Sequence, residues 1–366
     1  MFNALESEPN IEPHVFYLRR GTPGRQWTEV RKIQHQHEFV NEWRLHPTFY
    51  LNPGLVKRVL STEPDVLIIT QYASIGMQSL MYRFALTRRP WIFWSEAPGV
   101  EHSEAPPLKS ALLRRLFRHI ALIPIRRWPS QIWGIGKLPT ERFQRMYGKQ
   151  ATHKDCSFEN VPYYFDQVAF RSIERGDASP EEVRLLFSGK LVYRKAFDVL
   201  MASLEQLIEQ RNDFSLTVLG DGPQAGLVES ASPRLREKIE FAGFKEVSEV
   251  PDVYAKCDAM VFPSRYDGWG LAVVEAMASG MPVVGSSGAN SVVDAIDEGK
   301  TGFVYDPNDQ NGLTAALNRL LDAKDRIPQM GKRAREAAAN YEAHVCLLYT
   351  SPSPRDATLS RMPSSA

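Results

Sequence analysis

Asp267 and Glu275 stand with seven residues between them and flank Gly268, Trp269 and Gly270. A buried-strand pattern ends at Ser264, and the two glycines let backbone amides approach a ligand closely. A helical pattern opens near Leu271 and is closed by Gly280 and Pro282. The free N–H groups of residues 270–273 then form an anion and hydroxyl site at a helix start. Asp267 in the loop and Glu275 in the helix bracket one ligand from two sides, although two lone acids at this spacing are more often the solvated flanks of a tight turn. Upstream, residues 187–200 put Gly189 and Lys190 at a strand end and Lys195 at a helix start. These are either cations aimed at one anion or two surface lysines. Gly222, in Leu-Gly-Asp-Gly-Pro, and Phe244, in Phe-Ala-Gly-Phe, close two further strands.

The elements that position these residues alternate. Strand-like segments at 14–19, 65–70, 90–95 and 132–136 are separated by helix-like ones at 53–63, 75–87, 108–120 and 140–147. A second strand series runs 185–189, 215–220, 239–243, 259–264, 282–286 and 302–305, with helices at 196–210, 250–257, 271–280 and 311–322. Such alternation predicts an α/β protein whose parallel sheets are covered on both faces. The 366 residues suggest two domains, 1–165 and 183–345, joined by a polar linker at 166–182. The net charge of +1 hides an asymmetry: residues 1–165 carry 22 basic and 14 acidic side chains, residues 166–345 carry 20 and 28. An anionic partner is therefore expected for the first half and neutral polar ligands for the second. The three cysteines have no metal-ligand spacing, and no apolar run is long enough to span a bilayer. The expected location is the cytoplasm, or the inner face of the cell membrane as a peripheral protein.

Residues 262–285 resemble the donor-sugar-nucleotide motif of the retaining GT-B glycosyltransferases, in particular family 4. That family places two glutamates at this spacing ahead of an Ala-Met-Ala-x-Gly-x-Pro-Val helix and strand; Asp267 and Trp269 here replace a glutamate and a phenylalanine. The resemblance covers residues 185–345 well and the first half loosely. It implies two doubly wound, Rossmann-like domains facing a cleft, with ligands at the carboxyl ends of the strands. It also implies that Glu275 binds the nucleotide ribose, and that Asp267 with the Gly268–Trp269–Gly270–Leu271 loop holds the donor sugar. Gly189, Lys190 and Lys195 match its diphosphate-binding segment, with lysine for arginine at 190 and alanine for glycine at 196. Gly222 and Phe244 match positions near the nucleotide. A departing diphosphate gains negative charge, and without a metal the lysines would stabilise it, each by about 1.5–3 kcal/mol.

On the acceptor side, residues 65–71 and 91–98 resemble strand ends facing the cleft, which makes Glu96 the candidate carboxylate there, with a helix cap or surface acid as the alternative. Residues 108–120 place Leu108, Leu112, Leu116 and Ile120 on one face, among Lys109, Arg114, Arg115 and Arg118. With Arg126 and Arg127 they suit an anionic membrane surface, or a packed helix with a basic outer face. No Asp-x-Asp or Gly-x-x-x-x-Gly-Lys-Ser/Thr motif occurs, so no metal, no cofactor and no nucleic-acid partner is expected; His35 and His37 read as surface or cap residues. The resulting expectation is a metal-independent retaining transfer from a nucleotide-diphosphate sugar to a hydroxyl of a glycan or lipid-linked acceptor. The alternatives are an epimerase or phosphorylase on the same architecture, or an inactive carbohydrate- or nucleotide-binding protein. Finally, residues 346–366 are similar to an in-frame translation of a transposon-type sequencing-library adaptor and are expected to be a non-native tail. The start is expected to lack the opening strand and glycine loop of such a fold, and the natural chain to continue past Val345.

Overall fold

The computed structural model describes residues 2–6, 10–18, 33–41, 43–46, 49–72, 74–96, 119–147, 156–176 and 181–342. Most of the basic helix-like stretch, residues 108–118, and the whole 346–366 tail lie outside the described residues.

In the first half, β1 (His14–Tyr17) pairs in parallel with β2 (Gln36–Phe39), and β3 (Trp43–His46) pairs antiparallel with β4 (Phe49–Leu51). The main sheet of this half is parallel, in the order β5 (Leu67–Ile69), β6 (Trp91–Ser95), β7 (Gln131–Gly134), β8 (Ser157–Asn160). Helices Leu55–Ser61, Ile75–Leu86 and Lys137–Tyr147 supply Leu55, Leu80, Phe84 and Phe143 to a core shared with Trp91, Phe93 and Ile132. The helix Ile75–Leu86 starts where it does because the Ser74 hydroxyl accepts from Met77 N at 3.4 Å. β8 escapes the sequence pattern because Ser157, Glu159 and Asn160 are polar. His35 departs from the expected surface position: it is buried, with Nε2 2.9 Å from the Tyr17 hydroxyl.

The second half is one parallel sheet of β9 (Val183–Ser188), β10 (Phe214–Leu219), β11 (Ile239–Gly243), β12 (Ala259–Phe262), β13 (Val283–Ser286) and β14 (Gly302–Tyr305). Their order in the sheet is β11-β10-β9-β12-β13-β14, so the chain reverses direction between β9 and β12 and leaves a crevice at their carboxyl ends. β12 is buried on both faces and reads as a continuous apolar run. The helix Phe197–Ile208 buries Phe197, Leu200, Leu204 and Leu207 against β9 and β10, and each such side chain contributes about 1.5–3 kcal/mol.

The two halves share a core. Trp94, Ile135 and Phe165 from one side meet Trp269, Val273 and Ala334 from the other. The helix Ile327–Ala338 returns toward the first half, and Gln167 Nε2 donates to Ala338 O at 2.6 Å while Phe165 N donates to Tyr341 O at 3.2 Å. Arg175 fastens the connecting segment: its guanidinium donates to the carbonyls of Tyr254, Cys257 and Ser279, satisfying the last turns of two helices. Burial there pulls the Arg175 pKa down to about 10.

Candidate active site

The crevice between β9 and β12 collects the charged residues that the sequence singles out. After β9 the chain makes a short turn, Tyr193–Lys195, that ends at Ala196 in the left-handed region (φ 55°, ψ 37°). This turn delivers Lys195 Nζ to Asp267 Oδ2, and the same ammonium lies 4.5 Å above the Phe262 ring. Arg194 Nη1 reaches Asp267 Oδ2 at 3.1 Å and donates to Tyr266 O at 3.1 Å. Burial pulls the Lys195 pKa down, and Asp267 works against that by favouring the ammonium. A second clamp joins the two loops: Arg265 makes two bonds of 2.7 Å to the Asp198 carboxylate and lies 3.9 Å over the Tyr193 ring.

The glycine loop is held from beneath. Gly270 caps the helix Leu271–Ala278 with φ 94°, and a Cβ there would lie 2.8 Å from Ser291 Oγ and 2.9 Å from the Phe262 ring. Asn290 Nδ2 donates to Gly268 O at 2.6 Å and Ser291 Oγ to Gly270 O at 3.0 Å. Glu275 follows on the next turn, takes a 3.5 Å bond from the Tyr254 hydroxyl and is within electrostatic reach of Lys195. Tyr254 is fully buried and also bonded to Ser188, so the end of β9 and the Glu275 carboxylate share one phenol.

Glu96 comes to this loop from the opposite half. A Cβ added to Gly268 would fall 1.8 Å from Glu96 Oε2, so the carboxylate lies directly on the glycine. Thr70, Trp94, Ser95, Glu96, Ile135 and Tyr163 line a cavity of about 300 Å³ at the carboxyl ends of β5, β6 and β7. A larger space of about 530 Å³, lined by Arg211, Asp213 and Asn318 among others, lies at the amino end of β10 and is bound up with the Arg211–Asp213 ion pair. By the rule for parallel sheets the first cavity belongs to a ligand site and the second does not.

Burial raises the Glu96 pKa above its ordinary 4.5; Asp267 adds to the shift and Arg194 opposes it. An acid raised on folding adds stability that is fully present below its ordinary pKa and is lost as pH rises through the folded value. Wild-type protein is therefore expected to lose stability between acid and neutral pH on this account, and Glu96→Gln to flatten that limb. Urea denaturation across the range checks it, and parallel pH profiles for the two proteins would remove Glu96 from the account.

The structure thus brings Lys195, Asp267, Gly268, Gly270, Leu271, Glu275 and Glu96 together, with Gly189 beneath Lys195, where an added Cβ would lie 3.6 Å from Lys195 Cε. The four remaining expected residues lie elsewhere. The Trp269 side chain is buried, 5.6 Å from the Tyr341 ring and packed on Gly136, so it wedges the two halves and its ring cannot face a donor. Lys190 is exposed, two residues past the end of β9. Gly222 is a backbone crossing point, where a Cβ would lie 2.6 Å from Leu191 O. Phe244 is half-buried just past the end of β11. Sequence reading missed Tyr254, Arg265, Asn290 and Ser291, whose partners lie 21 to 67 residues away. Only the Arg265 position, two residues ahead of Asp267, carried a local signal. Among the described residues no group of three or more His, Cys, Asp or Glu could hold a metal ion. Nor, among them, is any helix long and apolar enough to cross a membrane.

Comparison with known proteins bears out the fold. The fold is GT-B: α/β, with parallel sheets in two Rossmann-like domains. Sucrose-phosphate synthase from Thermosynechococcus elongatus shares it with a TM-score of 0.67 at 17% identity, covering 98% of this chain and 92% of that one. HepE of Anabaena, solved in complex with UDP, shares it with a TM-score of 0.63 at 17% identity, covering 86% and 84%. Residues 171–337 match the family model described as glycosyl transferases group 1. The chain is 31% identical over 172 residues to the sulfoquinovosyl transferase SQD2 of Arabidopsis thaliana, covering 46% of this chain and 32% of that protein. It is 32% identical over 154 residues to glycogen synthase of Mycobacterium tuberculosis, covering 42% and 37%. The chain spans about a third of the length of these curated relatives.

Proposed function

We propose that the protein moves a sugar from a nucleotide-diphosphate sugar to a hydroxyl of a glycan or lipid-linked acceptor, with retained anomeric configuration and no metal ion. The observation that carries this reading is the buried Lys195 ammonium at the β9–β12 crevice, between Asp267 and the Glu275 side of the glycine loop. A diphosphate seated there would meet Lys195, Arg194 and the start of the helix Leu271–Ala278, a set suited to charge that grows as the glycosidic bond breaks. Glu275 would take the ribose hydroxyls and Asp267 the donor sugar. In the retaining mechanism of this family the leaving phosphate takes the acceptor proton on the same face, so the protein's part is to position and to stabilise charge. Glu96, across Gly268, would orient the acceptor. HepE of Anabaena, solved in complex with UDP and with UDP-glucose, supports a nucleotide-sugar donor. The reading assigns the donor to residues 183–345, the acceptor to 1–165 and the connection to 166–182. Membrane contact through 108–127 remains part of it.

Thermal-shift measurements against UDP, GDP, ADP and dTDP test the donor site, with Glu275→Ala beside the wild type. The expected result is a shift of several degrees with one nucleoside diphosphate that the variant loses; a shift of 4 °C corresponds to about 3 kcal/mol in a protein of this size. A wild type unmoved by all four nucleotides would overturn the assignment.

A further inference from the structure

We propose that Asp294 and Asn160 form a paired latch that sets the acceptor-side half in register with the donor loop, making both of them positioning residues for transfer. The inference rests on the transferase reading above. Asp294 belongs to the helix Asn290–Ala295. The first residues of that helix hold the glycine loop: Asn290 to Gly268 O, Ser291 Oγ to Gly270 O, and Ser291 N to Trp269 O at 2.9 Å. One turn further on, the Asp294 carboxylate leaves its own half. It accepts from Lys137 N at 3.1 and 3.0 Å and from Asn160 Nδ2 at 3.1 Å. Lys137 opens the helix Lys137–Tyr147 and Asn160 ends β8, so one carboxylate caps a helix and ties down a strand end of the opposite half. The joint is tight: a Cβ on Gly136 would lie 3.2 Å from Asn290 and 3.4 Å from the Trp269 ring. The element that shapes the donor loop is therefore the same element that docks the half carrying Glu96.

Hydrogen-bond polarity makes the pair specific. Asn160 Oδ1 accepts from Gly136 N at 3.1 Å, so its Nδ2 is the atom that faces Asp294. An amide in place of the Asp294 carboxylate would turn its NH₂ against the Lys137 N–H or against Asn160 Nδ2, donor to donor. A carboxylate in place of Asn160 alone would face Asp294 with like charge. Exchanging the two groups restores the bonds of the 136–160–294 chain and one of the two Lys137 N contacts, and gives up the second, to Oδ2 of residue 294. The new carboxylate accepts from Gly136 N and from the new amide, whose oxygen accepts from Lys137 N.

Wild type, Asp294→Asn, Asn160→Asp and the double exchange are compared in two ways. Amide hydrogen exchange is followed at Gly136 and Lys137, which needs neither nucleotide nor acceptor. Acceptor kcat/KM is measured together with the Kd of whichever of UDP, GDP, ADP or dTDP the wild type binds. Each single variant is expected to raise amide exchange and lower acceptor kcat/KM by about tenfold or more, the scale of one charge-assisted hydrogen bond, with the nucleotide Kd within about twofold. The double exchange is expected to recover part of the loss in both quantities, and to stand closer to wild type than either single variant. Single variants with unchanged amide exchange, or a double variant no better than the singles, would overturn the latch. Faster amide exchange with unchanged acceptor kinetics would overturn the positioning role. A wild type that binds no nucleotide would sink the transferase reading instead, and amide exchange alone would then decide the latch.

Discussion

Lys195→Ala is expected to lower turnover by about 10²–10³-fold, while the affinity for the donor nucleotide falls by about tenfold or less. The asymmetry follows from where the ammonium lies. On the proposed reading the ground-state diphosphate charge would already be shared with the helix start and Arg194, so one cation would add modestly to binding. As the glycosidic bond breaks, the added charge falls on the leaving phosphate, inside a crevice where Lys195 keeps only 14% of its side chain exposed. Electrostatic contacts are strongest in such a poorly solvated place. The pair with Asp267 and the Phe262 ring hold the ammonium in position before the donor arrives, so little reorganisation is left for the reaction step. Removing Lys195 leaves Asp267 with Arg194 at 3.1 Å, so the fold should survive, with a loss of about 1–3 kcal/mol in urea denaturation. Lys190→Ala is the control: exposed at the loop end, it is expected to cost about tenfold at most. Steady-state kinetics of the two variants decide it, and a Lys195→Ala defect no larger than that of Lys190→Ala would remove Lys195 from the leaving-group role.

Much of the second half was legible because its strands are short apolar runs closed by glycines. All six lie within two residues of their expected places at either end, and β12, with Ala259, Met260, Val261 and Phe262 all buried, is the extreme case. The strand–helix alternation read from the sequence stops at 311–322 and leaves out the helix Ile327–Ala338. Its buried face is Ile327, Met330, Gly331, Ala334 and Ala338, a helical period carried largely by small residues, and a Cβ on Gly331 would lie 2.1 Å from Gly280 O. Small side chains let it approach the backbone closely, and that reason is invisible until the partner is in place. Trp269 shows the opposite failure. Its place in the Gly-Trp-Gly pairs it with the donor, but its ring is buried toward Gly136 and Tyr341, a contact between residues 133 apart that local pattern cannot contain. The acidic and basic site residues were legible as types; their grouping depended on strand order. Asp267 and Lys195 meet because β12 lies beside β9, with β10 and β11 on the other side.

Gly220→Ala is expected to destabilise the protein by about 3–5 kcal/mol, among the largest effects of any single methyl group in the second half. In the sequence, Gly220 and Gly222 are a weak Gly-x-Gly; in the structure they are where three strand ends cross. Gly189 N donates to Leu219 O at 2.9 Å, Gly220 N donates to Gly243 O at 2.8 Å, and Leu191 N donates to Asp221 O at 3.0 Å. Gly220 has φ 139°, outside the range of ordinary side chains, and a Cβ there would lie 2.0 Å from Gly189 O. The obstacle is a backbone carbonyl fixed by the sheet, so no rotamer change relieves it. Relief requires moving the Gly189–Leu191 loop, which leads into Lys195, so nucleotide affinity should fall along with stability. Gly226→Ala provides the contrast. Gly226 opens the short helix Gly226–Glu229 with nothing within 4 Å of a new Cβ, and the substitution is expected to be neutral or stabilising by about 0.5–1 kcal/mol. Urea midpoints and nucleotide titrations of the two variants separate the cost of a blocked strand crossing from that of any glycine change in this half. Equal midpoints would mean that the β9 and β10 loops yield to each other, and the rigidity assigned to the donor crevice would go with them.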